Sequence, residues 1–260
     1  MNEIIKVKNK DYGEYEELLL RRDQLRKEAY LLQMEYIRIF GDLITAVFKM
    51  KISCIRKKKT IGYCQAAINK GNTIDQSELY ARIEAEMKEY NEQLQRMIED
   101  NEAAHNRETI SKGELAKIKH LYHKLVKLLH PDINPKTDEI PELKRLWHMI
   151  VVSYQANSLK DLEDAEILVK RALESNNLAE MEIEIPNLSE KIEAVREEIY
   201  KIKETDPYQY KYLLADDQAV KEKKESLQAE LKEYTEYEQK LDEILGGMLT
   251  SGAGVIWRMN

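Results

Sequence analysis

Residues 14–57 contain two interleaved series of residues that recur every seven positions, and no proline interrupts them. A seven-residue apolar repeat places its members on one stripe of an α-helix and is typical of coiled coils and long helical hairpins. The pattern therefore predicts one long helix whose stripe is covered by another helix. The members are Leu18, Leu25, Leu32, Ile39 and Ala46 in the first series, and Ala29, Tyr36, Leu43 and Met50 in the second.

The composition also favours a helical chain. Charged residues make up 34% of the 260 residues, whereas glycine occurs nine times and proline five times. So few glycines and prolines argue against a β protein with frequent turns, and we expect an all-α fold with no sheet. The net charge of −7 argues against binding to nucleic acid or to an anionic membrane. The apolar stretches are also too short for a membrane span.

A second apolar stripe runs from residue 79 to residue 97 and predicts a helix that starts near Asp75 or Ser77. Nine acidic and four basic residues lie between 76 and 110, whereas six cations and no acid lie between 49 and 59. Opposite charge favours an antiparallel hairpin between 14–57 and 76–107. Pairing between two chains stays open, because such a seam also forms dimers. The cations could instead bind nucleic acid, but aromatic residues are not interleaved with them.

Residues 112–168 are predicted to form a helix, a loop and a second helix. Ser111 is a candidate N-cap, with Glu114 at the spacing of a capping box. The first helix is basic, with five lysines and one acidic residue between 112 and 131. It ends at Pro131, because proline cannot continue a helix, and Pro141 stands at a favoured position for the start of the next helix.

This segment resembles the J-domain of the DnaJ-type co-chaperones, over about residues 111–170. That family has two antiparallel helices joined by a loop that carries His-Pro-Asp, often written HPD. The family's usual short first helix is not visible before Lys112, and Ile133 stands where the family usually has a basic residue. The matching residues are Tyr122-His123-Lys124-Leu125, His130-Pro131-Asp132, Asn134-Pro135 and Ser153-Tyr154.

The resemblance implies docking on a DnaK-type heat-shock chaperone and stimulation of ATP hydrolysis by that chaperone. The loop itself would carry out no bond chemistry, so the resemblance implies no catalytic residue and no cofactor. We also expect no metal site, although His120, His123 and His130 could contribute ligands, because no further Cys or His completes a tetrahedral set. The residues expected to bind the partner are Lys119, Tyr122, His123, Lys124, Lys127, His130, Pro131, Asp132 and Asn134.

The expected architecture is a J-domain-like unit flanked by long antiparallel, coiled-coil-like helical hairpins. Residues 1–110 would form the first hairpin, 111–175 the J-domain-like unit, and 186–246 a second hairpin that breaks at Asp206-Pro207 and ends at Gly246-Gly247. Residues 247–260 would form a mobile tail. The hairpins would bind a client or an adaptor, and the oligomeric state stays open.

Two other functions compete with the co-chaperone hypothesis. The chain could be a coiled-coil structural or adaptor protein whose J-like unit no longer engages a chaperone. An enzyme is not expected, because the sequence contains no phosphate-binding loop, nucleophile elbow or HExxH motif. Cys54 and Cys64 show no metal-binding spacing and are predicted to be reduced thiols, as in a cytoplasmic protein, with a single disulfide as the alternative.

Overall fold

The computed structural model describes residues 5–7, 10–106, 110–178, 181–183 and 185–250. Within these ranges nearly all residues are helical, so the predicted all-α class is confirmed. The helices are α1 Tyr12–Asn69, α2 Gln76–His105, α3 Lys112–Leu129, α4 Lys136–Glu139, α5 Pro141–Ala156, α6 Leu159–Ser175, α7 Leu188–Glu204, α8 Tyr210–Leu214 and α9 Asp217–Thr250.

One small sheet departs from the prediction of a fold with no sheet. Strand β1, Ile5–Val7, pairs in parallel with strand β2, Met181–Ile183. Each strand has three residues. Three residues are too few to show the alternation that identifies a strand in a sequence, so this pairing was not visible there.

The chain divides into two compact units. The first unit comprises Met1–Gln33 and Glu108–Tyr210, and the second comprises Met34–Arg107 and Lys211–Asn260. Helix α1 therefore contributes its first part to one unit and its remainder to the other. This division differs from the predicted segments, because contacts distant in sequence, rather than neighbouring hairpins, define each unit.

In the first unit, α3, α5, α6 and α7 surround one hydrophobic core. The start of α1 completes this core, where Tyr15 and Leu19 pack with Ile118 and Leu125 of α3. Helix α3 begins where the sequence predicts, whereas the single second helix predicted within 112–168 is divided into α5 and α6. The Ser111 hydroxyl accepts a hydrogen bond from the Glu114 amide, which caps α3. The first unit thus places α1 directly on the helix pair that carries the HPD loop.

In the second unit, α1 and α2 form the predicted antiparallel hairpin within one chain. Ile52 of α1 packs with Ile83 and Met87 of α2. The ion pair between Arg56 and Glu84, and the hydrogen bond from Asn101 to Asp42, show that the two helices run in opposite directions. The pairing does not extend over residues 14–33 as predicted. Helix α2 has 30 residues against 58 in α1, so it covers only part of the longer helix.

Helix α1 is also longer than predicted. It continues to Asn69 instead of ending at residue 57. The cations at 49–59 do not interrupt the helix, because acids pair with several of them. The helix ends just before Gly71, which has a φ of 67°, a conformation that favours glycine.

The predicted second hairpin, 186–246, is not one unit. Helix α7 contributes Ile192 and Val195 to the core of the first unit, whereas α9 packs Leu227 against Phe40 in the second. The break at Asp206-Pro207 is confirmed, since α7 ends at Glu204.

Helix α9 continues through Gly246-Gly247 to Thr250, so the predicted stop there was wrong. A glycine weakens a helix by about 1 kcal/mol without removing a backbone hydrogen bond. Residues 251–260 of the predicted tail lie outside the described residues. None of the described helices is long and apolar enough to cross a membrane.

Candidate docking site around the HPD loop

The HPD loop is an ordered turn that follows α3 directly. His130 is the C-cap of α3, and its carbonyl oxygen accepts hydrogen bonds from the amides of Ile133 and Asn134 at 2.9 and 2.7 Å. Pro131 prevents a further helical turn, so the chain folds back at this point. The turn places Pro131 and Asp132 partly at the surface, and the Asp132 side chain is 41% exposed.

Asn134 holds this turn from inside the protein. Its side-chain amide donates to the Leu128 carbonyl at 3.0 Å, and its side-chain oxygen accepts from the Lys136 amide at 3.1 Å. The side chain is fully buried. The predicted docking residue Asn134 therefore acts as an internal brace that shapes the loop.

The predicted docking residues divide into a buried group and a more accessible group. Tyr122, His130 and Asn134 are buried. Lys119 and Lys127 are exposed, and His123, Lys124, Pro131 and Asp132 are partly buried. The expected residues therefore lie along α3 and in the loop that follows it, and only some of them are accessible to a partner.

Arg22 of α1 lies against the HPD loop, a contact that the sequence analysis did not predict. Its guanidinium Nη2 lies 2.9 Å from His130 Nε2 and 3.2 Å from Asp23 Oδ1. Its Nη1 lies 3.3 Å from Asp132 Oδ2 and 3.5 Å from a Glu198 carboxylate oxygen of α7. The Arg22 side chain is only 7% exposed. Burial alone would lower the pKa of Arg22, but the three carboxylates outweigh it and raise that pKa.

A signal for this contact is present in the heptad pattern. Arg22 stands seven residues after Tyr15 and seven before Ala29, which is the seam position of the second apolar series. A charged residue at a seam position is costly to bury unless a partner satisfies it. Such a residue therefore indicates that something polar faces the stripe there, although the sequence does not say what.

Two stacked aromatic rings lie beside the HPD loop and α1. The rings of Tyr122 and Tyr154 stack with centroids 3.8 Å apart and an interplanar angle of 9°. The Tyr122 hydroxyl donates to the buried Asp23 carboxylate at 2.8 Å. Lys27 of α1 places its ammonium 3.8 Å from the centroid of the Tyr154 ring. Burial, together with Asp23, raises the pKa of Tyr122 far above its ordinary value, so its hydroxyl stays a donor.

His130 is neutral in this environment. Burial lowers its pKa below the ordinary value of 6.5, and the positive charge of Arg22 acts in the same direction, against the carboxylates of Asp23 and Asp132. A neutral imidazole has one N–H and one acceptor nitrogen. Nε2 faces the Arg22 donor at 2.9 Å, and Nδ1 faces the Asp132 backbone N–H at 3.1 Å. Both nitrogens thus face donors, and only one can accept at a time.

Three lysines of α3 contact acidic or polar side chains of the same unit. Lys127 pairs with Glu16 at 3.0 Å, and the Lys119 ammonium lies 3.3 Å from the Gln24 side-chain oxygen; both partners belong to α1. Lys124 pairs with Glu166 of α6 at 2.6 Å. Helix α1 therefore borders the basic helix along several turns as well as at the loop.

A cavity of about 420 Å³ opens between the HPD loop and α1. Two guanidinium groups and three carboxylates line it, and the buried ammonium of Lys27 lies against its Tyr154 wall. The ionised residues are Arg22, Arg26, Asp23, Asp132 and Glu198, and the aromatic walls are Tyr122, Trp147 and Tyr154. The Asp132 carboxylate is 41% exposed at this cavity, so a cationic group can approach it there.

No other region of the described chain offers an equally developed site. Three members of the basic cluster at 49–59 are paired with acids, namely Arg56 with Glu84, Lys57 with Glu238 and Asp242, and Lys59 with Glu86. No group of three or more His, Cys, Asp or Glu residues in the described part of the chain is arranged to hold a metal ion. Cys54 and Cys64 are buried free thiols.

Comparisons with known protein families, with curated proteins and with solved structures found no match for this chain.

Proposed function

We propose that the chain is an atypical J-domain co-chaperone that docks on a DnaK-type heat-shock chaperone through the HPD loop and stimulates its ATPase. One observation carries the proposal: the loop is a braced turn at the end of a basic helix, and it presents Pro131 and a partly exposed Asp132 carboxylate. A fixed carboxylate at a helix end can engage a partner cation with little loss of conformational entropy on binding.

The start of α1 supports the proposal, because it can take the place of the short helix that is not visible in the sequence before Lys112. Tyr15 and Leu19 of α1 pack on α3, where a helix preceding the pair is needed to cover its apolar face. In this chain that helix comes from about 95 residues upstream, because residues 34–107 are inserted as part of the second unit. The absence of a short helix next to α3 in the sequence therefore does not argue against the proposal.

The basic surface of α3 supplies the second element of docking. Lys117, Lys119, His120 and Lys127 are exposed on this helix within a chain of net charge −7. A local basic face speeds and orients encounter with an acidic partner surface, and added salt weakens this effect. The second unit would then serve for placement or for binding a client or an adaptor. The two free thiols favour a cytoplasmic location.

Asp132→Asn tests the proposal, with Asp138→Asn as a matched control. Asp138 belongs to α4, close to the loop in sequence, and its exposed carboxylate pairs with Lys144 at 3.2 Å. Because Asp132 is 41% exposed, its pair with Arg22 contributes at most about 1 kcal/mol to stability, so both variants should stay folded. We expect Asp132→Asn to abolish stimulation of the chaperone's ATPase, and Asp138→Asn to retain it.

The proposal fails if the wild-type chain stimulates no DnaK-type chaperone from its own cell. It also fails if Asp132→Asn stimulates as well as wild type does. Circular dichroism of both variants at the assay temperature controls for unfolding.

The contact between Arg22 and Asp132 favours a second candidate, an adaptor whose J-like unit is permanently satisfied within the chain. In that protein the carboxylate would already have its cation and would need no partner. The same ATPase assay separates the two candidates, because the adaptor would leave the chaperone unstimulated at every concentration.

A further inference from the structure

We propose that Arg22 competes with the chaperone for Asp132, so that α1 keeps the HPD loop in a closed state until a partner cation displaces the Arg22 guanidinium. This inference rests on the proposed function and adds its regulation. Arg22 is a positioning residue here, since it acts on the docking site through Asp132 and His130.

The position of the guanidinium supports competition. Arg22 Nη1 lies 3.3 Å from Asp132 Oδ2, the side-chain carboxylate of the HPD motif. A partner cation would have to approach the same carboxylate, and two cations at one carboxylate repel each other. A protein that needs Asp132 for docking therefore binds its partner less tightly while Arg22 occupies it.

The charges around Arg22 also allow it to leave Asp132 without unfolding. The guanidinium already contacts Asp23 at 3.2 Å and lies 3.5 Å from Glu198, so both carboxylates can retain it when Asp132 turns to a partner. The Asp132 carboxylate is 41% exposed, so an external cation can reach it and take the place of Arg22 there.

His130 couples the two states. In the structure both ring nitrogens face donors, since Nε2 lies 2.9 Å from Arg22 Nη2 and Nδ1 lies 3.1 Å from the Asp132 amide nitrogen. A neutral ring accepts from only one of these donors, so the two contacts compete for its single acceptor nitrogen. Acceptance by Nε2 favours the Arg22 contact of the closed state, and when Arg22 withdraws the proton can move to Nε2, which leaves Nδ1 to accept from the Asp132 amide.

An ATPase titration of the full chain with the chaperone tests the competition. Arg22→Met removes the competing cation and should lower the concentration for half-maximal stimulation by about two- to fivefold, the range expected for losing a partly solvated ion pair. Arg21→Met is the matched control. Arg21 is the neighbouring residue, its side chain is 46% exposed, and it faces Glu28 at 4.0 Å. Arg21→Met should titrate as wild type does.

Arg22→Met leaves the buried Asp23 without its nearest cation, which can destabilise the first unit. Arg22→Met/Asp23→Asn removes both charges and keeps an acceptor for the Tyr122 hydroxyl, so it serves as the second variant. It should also titrate at a lower concentration than wild type.

Nitrogen chemical shifts of the His130 ring give a readout that needs no chaperone. We expect the proton on Nδ1 in wild type and in Arg21→Met, and on Nε2 in both Arg22 variants. A wild-type ring with its proton on Nε2 overturns the inference, because Nε2 could then not accept from Arg22.

The titration separates failure of this inference from failure of the proposed function. If wild type stimulates the chaperone and neither Arg22 variant titrates at a lower concentration, Arg22 does not compete, and the co-chaperone proposal stands. If wild type does not stimulate the chaperone, the co-chaperone proposal falls and the competition falls with it.

Discussion

Tyr122→Phe is the substitution that most directly measures how strongly α1 is bound to the helix pair. Tyr122 is 3% exposed, and its hydroxyl donates to the Asp23 carboxylate of α1 at 2.8 Å. Phenylalanine keeps the ring, and therefore the stack with Tyr154, but removes the donor. The substitution thus isolates one buried hydrogen bond between α1 and α3.

The expected loss is about 2 kcal/mol of the free energy of unfolding of the first unit, since hydrogen bonds to charged groups contribute about 1.5–3 kcal/mol. The ring stack should be unaffected, and it would contribute about 0.5–1.5 kcal/mol in both proteins. Asp23 keeps Arg22 at 3.2 Å, so its charge is not left without a partner. The loss should therefore stay below that expected for an unpaired buried charge, about 3–5 kcal/mol.

Urea unfolding followed by the fluorescence of Trp147 measures this loss. The Trp147 and Tyr122 ring centroids are 6.3 Å apart, so Trp147 reports on this core. Trp257→Phe in every protein removes the second tryptophan of the chain. Tyr200→Phe is the matched control, because Tyr200 belongs to α7 of the same unit and is 66% exposed. It should change stability by about 0.5 kcal/mol or less.

A Tyr122→Phe loss no larger than that of Tyr200→Phe would refute the reasoning. It would mean that the hydroxyl gains nothing from Asp23 relative to water, and that α1 is held by apolar packing alone. If the slope of the free energy of unfolding against urea concentration differs between the two proteins, they unfold to different extents. The local stability of α1 would then have to be compared by hydrogen exchange.

Two further predictions follow from burial and close packing. Burial lowers the pKa of His130 and of His123 below 6.5, so the folded chain binds fewer protons than the unfolded chain as the pH falls below that value. The free energy of unfolding, measured by urea titration, should therefore decrease on acidification from about pH 6.5, by up to about 1.4 kcal/mol per pH unit for each proton. His123→Gln should show a smaller decrease. A Cβ at Gly41 would lie 2.3 Å from Asn101 Oδ1, so an alanine there would clash unless Asn101 is shortened. In thermal unfolding, Gly41→Ala should increase stability by up to about 1 kcal/mol in an Asn101→Ala background and clearly less in the wild-type background, and equal effects in both would contradict this packing.

The sequence by itself determined that most of the chain is helical and where several of the long helices and the HPD loop begin. The seven-residue series predicted α1, the Ser111 and Asp75 caps predicted the starts of α3 and α2, and Pro131 predicted the end of α3. These features are local, because a cap, a proline or an apolar stripe acts within a few residues of itself. The hairpin between the second part of α1 and α2 also followed, since the connecting turn is short and the charges of the two helices are opposite.

Only the tertiary structure decided which helix covers which face. The apolar stripe of α1 is continuous, yet its first part packs on α3 and its remainder on α2 and α9. An apolar stripe predicts that another helix must cover it but does not identify that helix, because every amphipathic helix of this chain offers a similar apolar surface. For the same reason, Gly246 and Gly247 looked like a stop although α9 continues through them.

The contact of Arg22 with the HPD loop shows this limit most clearly. The sequence contains both members of this contact, a charged residue at a seam position and a carboxylate in a loop. However, 110 residues separate Arg22 from Asp132. Long-range contact depends on how the whole core closes, and that is a sum over many packing contacts that no local pattern contains. Physical chemistry fixes what a buried arginine requires, and only the folded core determines that Asp23, His130 and Asp132 provide it.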